Sequence, residues 1–386
     1  WDHWLKHRDT GILREPMLRV WLQDSVPPST FYAERPGRWV GEPQWPSPNV
    51  TEQRYPLTAS GIDMGAVASG PLDPRPLRPV SVQSPLSVGL FAGKWCSYSA
   101  APDLPYDQRE EDGGALVYQS EPLTATLAVL GAPELEMELE ADRPVAMVAV
   151  RLSDVLPDDR ATRITYGLLN LTHRNGHERP EPLDPGRRYR VRVRLNHIGQ
   201  VFPRGHRIRV SVSTSYWPLV WPPPEPVRLT LHPQGSALWL PVRQPRQQDL
   251  QIALPPAEGC RPIRLTQLEP AQHNWLVHRD LAHNQSTLEV IKDEGVYRIE
   301  ELSLDVGDRT WDWYTCRDDQ GFDSVRGETR TERSFARDGW RVRTTTRTVL
   351  TADRENFYVH AELDGWEDER RVYSRNWDST IPRKLV

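Results

Sequence analysis

Three runs of strict two-residue alternation constrain this chain more than anything else in it. Tyr189, Val191, Val193 and Leu195 alternate with Arg190, Arg192 and Arg194. Leu135, Met137 and Leu139 alternate with Glu134, Glu136, Glu138 and Glu140. Ile208, Val210 and Val212 alternate with Arg207, Arg209 and Ser211. Side chains alternate faces along a strand, so each run is a half-buried strand. Dry inner faces and charged outer faces call for a second sheet as cover, which makes a β-sandwich. The glutamate run and one of the two arginine runs match in length and oppose in sign. They are expected in one sheet, charges outward.

At 386 residues the chain has room for two or three domains and a sizeable core. Its 53 acidic and 48 basic residues are mixed throughout, with no basic stripe to hold nucleic acid. Thirty-six prolines suit a loop-rich β protein better than a helical bundle. No apolar run is long enough to span a membrane. Cys96, Cys260 and Cys316 are odd in number and far apart, which suggests no disulfide framework and fits a reducing cytoplasm. The fifteen tryptophans read as core and loop anchors; the competing reading is a set of stacking platforms for sugars or aromatic ligands.

An ordered series of short motifs spans the same region. Asp107-Gln108-Arg109 leads into Gly114 to Leu123, followed by Gly131-Ala132-Pro133, Arg151 to Val155 and Thr165-Tyr166-Gly167. Pro182 to Gly186, Gly205 to Arg209 and Ser215 to Pro218 complete it. In this order and spacing the series resembles the C-terminal domain of the X-prolyl dipeptidyl peptidases. The cocaine esterase and α-amino acid ester hydrolase relatives end in the same domain. The resemblance implies a jelly-roll sandwich of the galactose-binding-like type, attached to an α/β-hydrolase domain.

The expected fold is therefore mainly β, a jelly-roll sandwich followed by a second antiparallel β domain. Residues 1–16 are expected to be a terminal helix belonging to an α/β-hydrolase domain that would precede Trp1. Trp1, Trp4 and Leu5 form its apolar face, too short to be stable unless docked. Residues 17–243 form the sandwich and 244–262 a linker. Residues 263–386 form a second sheet of six to eight strands, twisted and curled into a partial barrel, with hairpin turns at Gly295, Asp338-Gly339 and Asp353 to Asn356. The closing Ile381-Pro382-Arg383-Lys384-Leu385-Val386 is similar to the end of some longer bacterial members of the family and names no chemistry.

The family acts with a Ser-His-Asp triad whose serine stands on a G-x-S-x-G turn. This chain has no such turn; Trp95-Cys96-Ser97-Tyr98-Ser99 lacks the flanking glycines. No catalytic residue is therefore expected here, and no cofactor. His206 reads as a hydrogen-bonded sandwich histidine. His3 and His7, and His173 and His177, share the four-residue spacing of a zinc pair but lack further ligands. Asp107, Glu110, Glu111 and Asp112 could collect calcium, yet read better as a charged loop whose Asp-Gln-Arg start anchors the sandwich. No metal is expected. The aromatic-rich, aperiodic stretch 86–106 precedes Asp107, and in relatives a loop near here sets an aromatic against the acyl group. Phe91, then Trp95, are the expected substrate-pocket residues.

Three functions compete. The first is the non-catalytic C-terminal part of a serine hydrolase of the dipeptidyl-peptidase or esterase kind, partnered by its own N-terminal catalytic domain and possible as a homo-oligomer. The second is a carbohydrate-binding module, disfavoured because Trp45, Trp217 and Trp221 each precede a proline as loop anchors do. The third is an oligomerisation module pairing through edge strands.

Overall fold

The computed structural model describes residues 1–59, 61–65, 78–94, 101–252, 254, 259–317 and 321–386. Two sheets build the sandwich. The larger runs Arg188–Arg194, Glu134–Ala141, Leu229–Arg243, Leu127–Gly131, Ile198–Phe202, Leu18–Gln23 and Gly37–Glu42. Val50–Thr58 and Val80–Val82 also pair with the long strand Leu229–Arg243. The smaller runs Ala161–Asn170, Met147–Val155, Arg207–Ser213 and Leu116–Gln119. Pairing is antiparallel except where Leu18–Gln23 meets Ile198–Phe202. The core lies between the sheets and includes Leu135, Met137, Val150, Leu152, Phe202, Ile208, Val210 and Leu238.

The glutamate strand does pair with an arginine strand, the one at 188–194. Arg188 faces Glu140, Arg190 faces Glu138, Arg192 faces Glu136 and Arg194 faces Glu134. Leu135 and Met137 are fully buried on the opposite face, as their alternation requires. The charged side is less wet than expected at one point. Glu136 is buried beneath Arg190 and Arg192, which both bond its carboxylate, Arg192 Nε at 2.7 Å from Oε2. Arg192 in turn lies over the Trp239 ring.

The other arginine run departs from expectation. The outer face of the Arg207–Ser213 strand is largely covered: Ser211 is fully buried and Arg209 nearly so, while Arg207 keeps partial exposure. Every residue of its neighbour Met147–Val155 is buried, on both faces. The cover on this side comes from residues 84–94 and the helical turn Arg109–Asp112. Burial of polar outer positions is sustainable where they find partners, as Arg151, Arg209 and Ser211 do; the Ser153 hydroxyl is buried without one.

The chain leaves the sandwich through a fastened segment. Arg243 is buried and bonds Glu42 and Asp249, whose residue lies in the short helical turn Gln247–Gln251. A second antiparallel sheet of eight strands follows. Its order is Leu265–Glu269, Gln285–Ile299, Leu304–Arg317, Arg326–Arg337, Trp340–Ala352, Asn356–Glu367 and Arg370–Pro382, with Gln272–Asp280 also on Gln285–Ile299. The first and last strands do not pair, so the sheet stays open and no barrel closes. Asp338 and Gly339 both have positive φ and turn one hairpin; Asp353 to Glu355 turn another. Gly295 does not make a turn. It sits inside the continuous strand Gln285–Ile299, where the register shifts between Asp293 and Val296, so it is a bulge. Its φ is +65°, and a Cβ there would stand 2.1 Å from the Glu269 carbonyl oxygen. The helix within residues 1–16 is a single turn, Asp2–Leu5, and Trp1, Trp4 and Leu5 are exposed.

Burial raises the Glu136 pKa, but bonds from Arg190 and Arg192 outweigh it and hold it below the usual carboxylate range. A group with a lowered folded pKa stabilises above its unfolded pKa, and that stability is lost as pH falls through the folded value. Glu136→Gln is therefore expected to cost about 1 kcal/mol near neutral pH. Thermal melts from pH 7 to pH 3 should show the gap from wild type narrowing on acidification. A gap that stays constant would contradict this assignment.

Candidate functional site

A buried arginine organises the covered side of the smaller sheet. Arg151 stands in the middle of Met147–Val155 with no solvent exposure. An unpaired guanidinium here would be prohibitive, so its partners decide how the cover packs. Nη1 bonds Gln108 Oε1 at 2.9 Å and Nη2 bonds Asp112 Oδ1 at 3.0 Å. Glu111 Oε2 lies 3.3 Å from Nη1, an ion pair without hydrogen-bond alignment. Asp112 also accepts from Arg209 at 2.7 Å and from Ser211 at 2.6 Å. Asp107 accepts from the backbone of Arg109 and Ala161. The acidic cluster thus holds cover to sheet through protein donors. Among the described residues no group of three or more His, Cys, Asp or Glu could hold a metal.

Glu111 carries this order one step further. Its Oε1 accepts from the backbone N–H of Gly89 at 3.1 Å and of Phe91 at 2.8 Å. Burial pushes the Glu111 pKa up, against the pull of Arg151, Arg163 and those two amides. Gly89 has φ +117°, and a Cβ there would lie 2.2 Å from the Trp217 carbonyl oxygen. The segment therefore crosses Trp217 at a distance only glycine allows.

Phe91 is half-buried. It packs against a cluster built from Leu86, Leu90 and Trp217 on the sandwich side and Leu288, Val290 and Val325 of the second domain. Both domains thus meet on the segment that the sequence singled out. Tyr314 meets Trp217 edge-on at 5.8 Å, and Phe357 meets Trp221 at 5.6 Å. Trp95 lies outside the described residues, as do Cys96 to Ser99. Leu104 and Pro105, farther along the same stretch, line a separate cavity of 470 Å³ at the open edge of the sandwich.

The closing hexapeptide has a physical role that sequence alone did not reveal. Arg383 bonds the Pro222 carbonyl at 2.7 Å and the Asp353 carbonyl at 3.1 Å, with its guanidinium 4.7 Å over the Phe357 ring. Desolvation lowers its pKa to about 10, so it stays charged at neutral pH. The Leu385 carbonyl accepts from Asn170 Nδ2 at 2.8 Å and Thr172 Oγ1 at 2.9 Å. This segment therefore ties the second domain back to the sandwich.

The histidines form no catalytic array. His206 Nδ1 bonds Asp154 Oδ1 at 2.9 Å, and Ser25 Oγ bonds Asp154 Oδ2 at 2.5 Å. The hydroxyl donates to the carboxylate and not to the imidazole, so these three residues are not ordered as a Ser-His-Asp triad. Burial raises the Asp154 pKa, against bonds from Ser25 and His206. His3 and His7 do not share a helix, because the turn ends at Leu5. His173 and His177 meet on an exposed turn with their Nδ1 atoms 3.1 Å apart. On the second sheet a trough of 660 Å³ displays Trp311, Trp313, Arg330 and Arg347 beside Glu289, Glu332, Glu362 and Asp364, so carboxylates outnumber its cations. Glu328 pairs with Arg330 and Arg347, and Glu362 with Arg347 and His360.

Residues 10–277 match the family model of the X-Pro dipeptidyl-peptidase C-terminal non-catalytic domain. The chain belongs to this family. The match runs past residues 244–262 into the first strands of the second sheet. The chain is 25% identical over 199 residues to a cocaine esterase of Rhodococcus sp. (strain MB1 Bresler), covering 50% of this chain and 35% of that protein. It is 25% identical over 247 residues to a putative Xaa-Pro dipeptidyl-peptidase of Rhodopirellula baltica, covering 62% and 36%. A solved α-amino acid ester hydrolase superposes with a TM-score of 0.45 at 20% identity, covering 54% of this chain and 39% of that one. The chain thus spans about a third of the length of the curated relatives it matches.

Arg383→Ala is expected to cost about 1–3 kcal/mol by stranding two carbonyls. Hydrogen exchange should rise across 370–386 while Met147–Val155 keeps its protection. Arg383→Lys should not restore both bonds, because an ammonium lacks the planar fork. Equal exchange in Arg383→Ala and wild type would refute the clasp.

Proposed function

We propose that this chain is the non-catalytic C-terminal portion of a serine hydrolase acting on peptide, ester or amide acyl bonds. An N-terminal α/β-hydrolase domain of the same protein supplies the catalytic groups. The observation that carries the reading is the family match over residues 10–277, whose own description is non-catalytic. The Ser25–Asp154–His206 arrangement supports it, since that serine bonds the carboxylate and does not touch the imidazole. In this reading the exposed Trp1, Trp4 and Leu5 belong against the hydrolase domain. Phe91, and with it Trp95, borders the acyl pocket. The support is physical: Glu111 fixes the Phe91 backbone and two domains brace the segment, so an aromatic here would be held rigidly.

Self-association is part of the proposal. Arg370–Pro382 is an edge strand exposed along its whole length, with Val372, Tyr373, Trp377 and Ile381 each at least 37% exposed. Such an edge can extend the sheet across a twofold axis to a second copy. A reducing cytoplasm fits the exposed thiol of Cys260. Light scattering should report a dimer for the full-length protein, reduced to monomer by Trp377→Lys; a monomer in the wild type would reject the edge pairing.

The isolated chain should turn over neither a p-nitrophenyl ester nor an X-Pro-p-nitroanilide, whereas the full-length protein should turn over at least one. Phe91→Ala in the full-length protein should raise KM about threefold to tenfold or shift acyl preference, with the nucleophile still titratable by a covalent inhibitor. Activity in the isolated chain would overturn the non-catalytic reading. Unchanged kinetics in a folded Phe91→Ala variant would remove Phe91 from the pocket and leave the rest standing.

A further inference from the structure

The cavity at the open edge of the sandwich has an unusual lining. It occupies 470 Å³ between the strand Leu18–Gln23, the loop carrying Tyr32 and Arg35, and the strand Ala161–Asn170. That volume is in the range of small-molecule sites. Arg35 and Arg163 both line it, and none of the lining residues is acidic. Each guanidinium is stacked on a tyrosine, Arg35 at 5.0 Å from the Tyr32 ring centre and Arg163 at 4.7 Å from that of Tyr166. Trp21 adds a third aromatic wall.

Arg163 is already engaged, because its Nη1 bonds Tyr216 Oη at 2.7 Å. Arg35 is not. Its Nε is buried without a hydrogen-bond partner, and its Nη2 has only a long 3.5 Å contact to Gln200 Oε1. Nε is closed to the cavity, so a ligand meets the end-on edge, where Nη1 and Nη2 can donate to both oxygens of a carboxylate. The nearest buried acid, Asp154, is taken by Ser25 and His206 and does not line the cavity.

We propose that this cavity binds an organic carboxylate with an apolar or aromatic body. The carboxylate sits on the Nη1–Nη2 edge of Arg35 and the body lies among Trp21, Tyr32 and Tyr166. Asn196, which also lines the cavity, supplies a further polar contact. The aromatic walls favour such a ligand over inorganic phosphate, which would leave them unused. The site stands apart from the hydrolase reading: it needs no triad, and it would remain if the pocket assignment of Phe91 failed.

The test is calorimetric titration of the full-length protein with 3-phenylpropionate, 3-phenylpropionamide and inorganic phosphate. The expected order is phenylpropionate tightest, with the uncharged amide about tenfold weaker or more and phosphate weaker still. Arg35→Gln should weaken phenylpropionate about tenfold or more, and Arg35→Lys should recover only part of this. A melting temperature close to wild type in both variants would show that they fold. Equal binding of acid and amide would overturn the proposal. So would unchanged binding in Arg35→Gln, tighter binding of phosphate, or no binding of the acid in the full-length protein.

Discussion

The burial of Arg151 governs how the first domain is closed on its outer side. A guanidinium in the middle of a fully buried strand cannot be left alone, and it cannot reach water. It therefore dictates that carboxylate and amide groups come to it. Gln108, Glu111 and Asp112 do so from one short turn. That turn then fixes residues 84–94 through backbone bonds from Glu111, and those residues provide the seat for the second domain. One buried charge thus sets the order of three layers. The arrangement trades stability for specificity, because an apolar substitute would pack without choosing a partner.

Much of the sandwich was legible because its strands obey a two-layer rule. Leu135, Met137 and Leu139 alternate with glutamates, and burial follows that alternation except at Glu136, which two arginines cover. The Arg207–Ser213 strand obeys the same pattern, yet its outer face is covered. Alternation reports polarity, and polarity equals exposure only when no charged loop comes down to meet it. Arg151 itself was a readable signal: an arginine inside Met147–Val155 interrupts a run otherwise destined for burial. The helix at the start is a single turn, Asp2–Leu5, as its length without a docked surface leads one to expect.

The second sheet was harder to read for a related reason. It is one layer thick over most of its area, so its strands need no dry face. Arg326–Arg337 and Arg370–Pro382 carry too few apolar residues to announce themselves, and neither stood out in the sequence. Their order comes from cross-strand neighbours instead, such as Arg347 between Glu328 and Glu362, and the hydroxyls of Thr331 and Thr346. Asp338-Gly339 was legible because turn chemistry is local. Gly295 was misread because a bulge and a turn ask the same thing of glycine, a positive φ, and only the partner strand distinguishes them.

The attachment of Arg383 and Leu385 to the sandwich changes how that thin sheet can come apart. A single-layer sheet has no core to make its strands melt together, so opening would begin at the outermost strand and travel inward like a zip. Arg370–Pro382 is that outermost strand, and its far end is anchored on Pro222, Asn170 and Thr172 of another domain. The zip has its pull-tab pinned. Opening from that side must first break contacts that belong to the sandwich, so the lifetime of the whole thin sheet becomes tied to the rigidity of the domain it leans on.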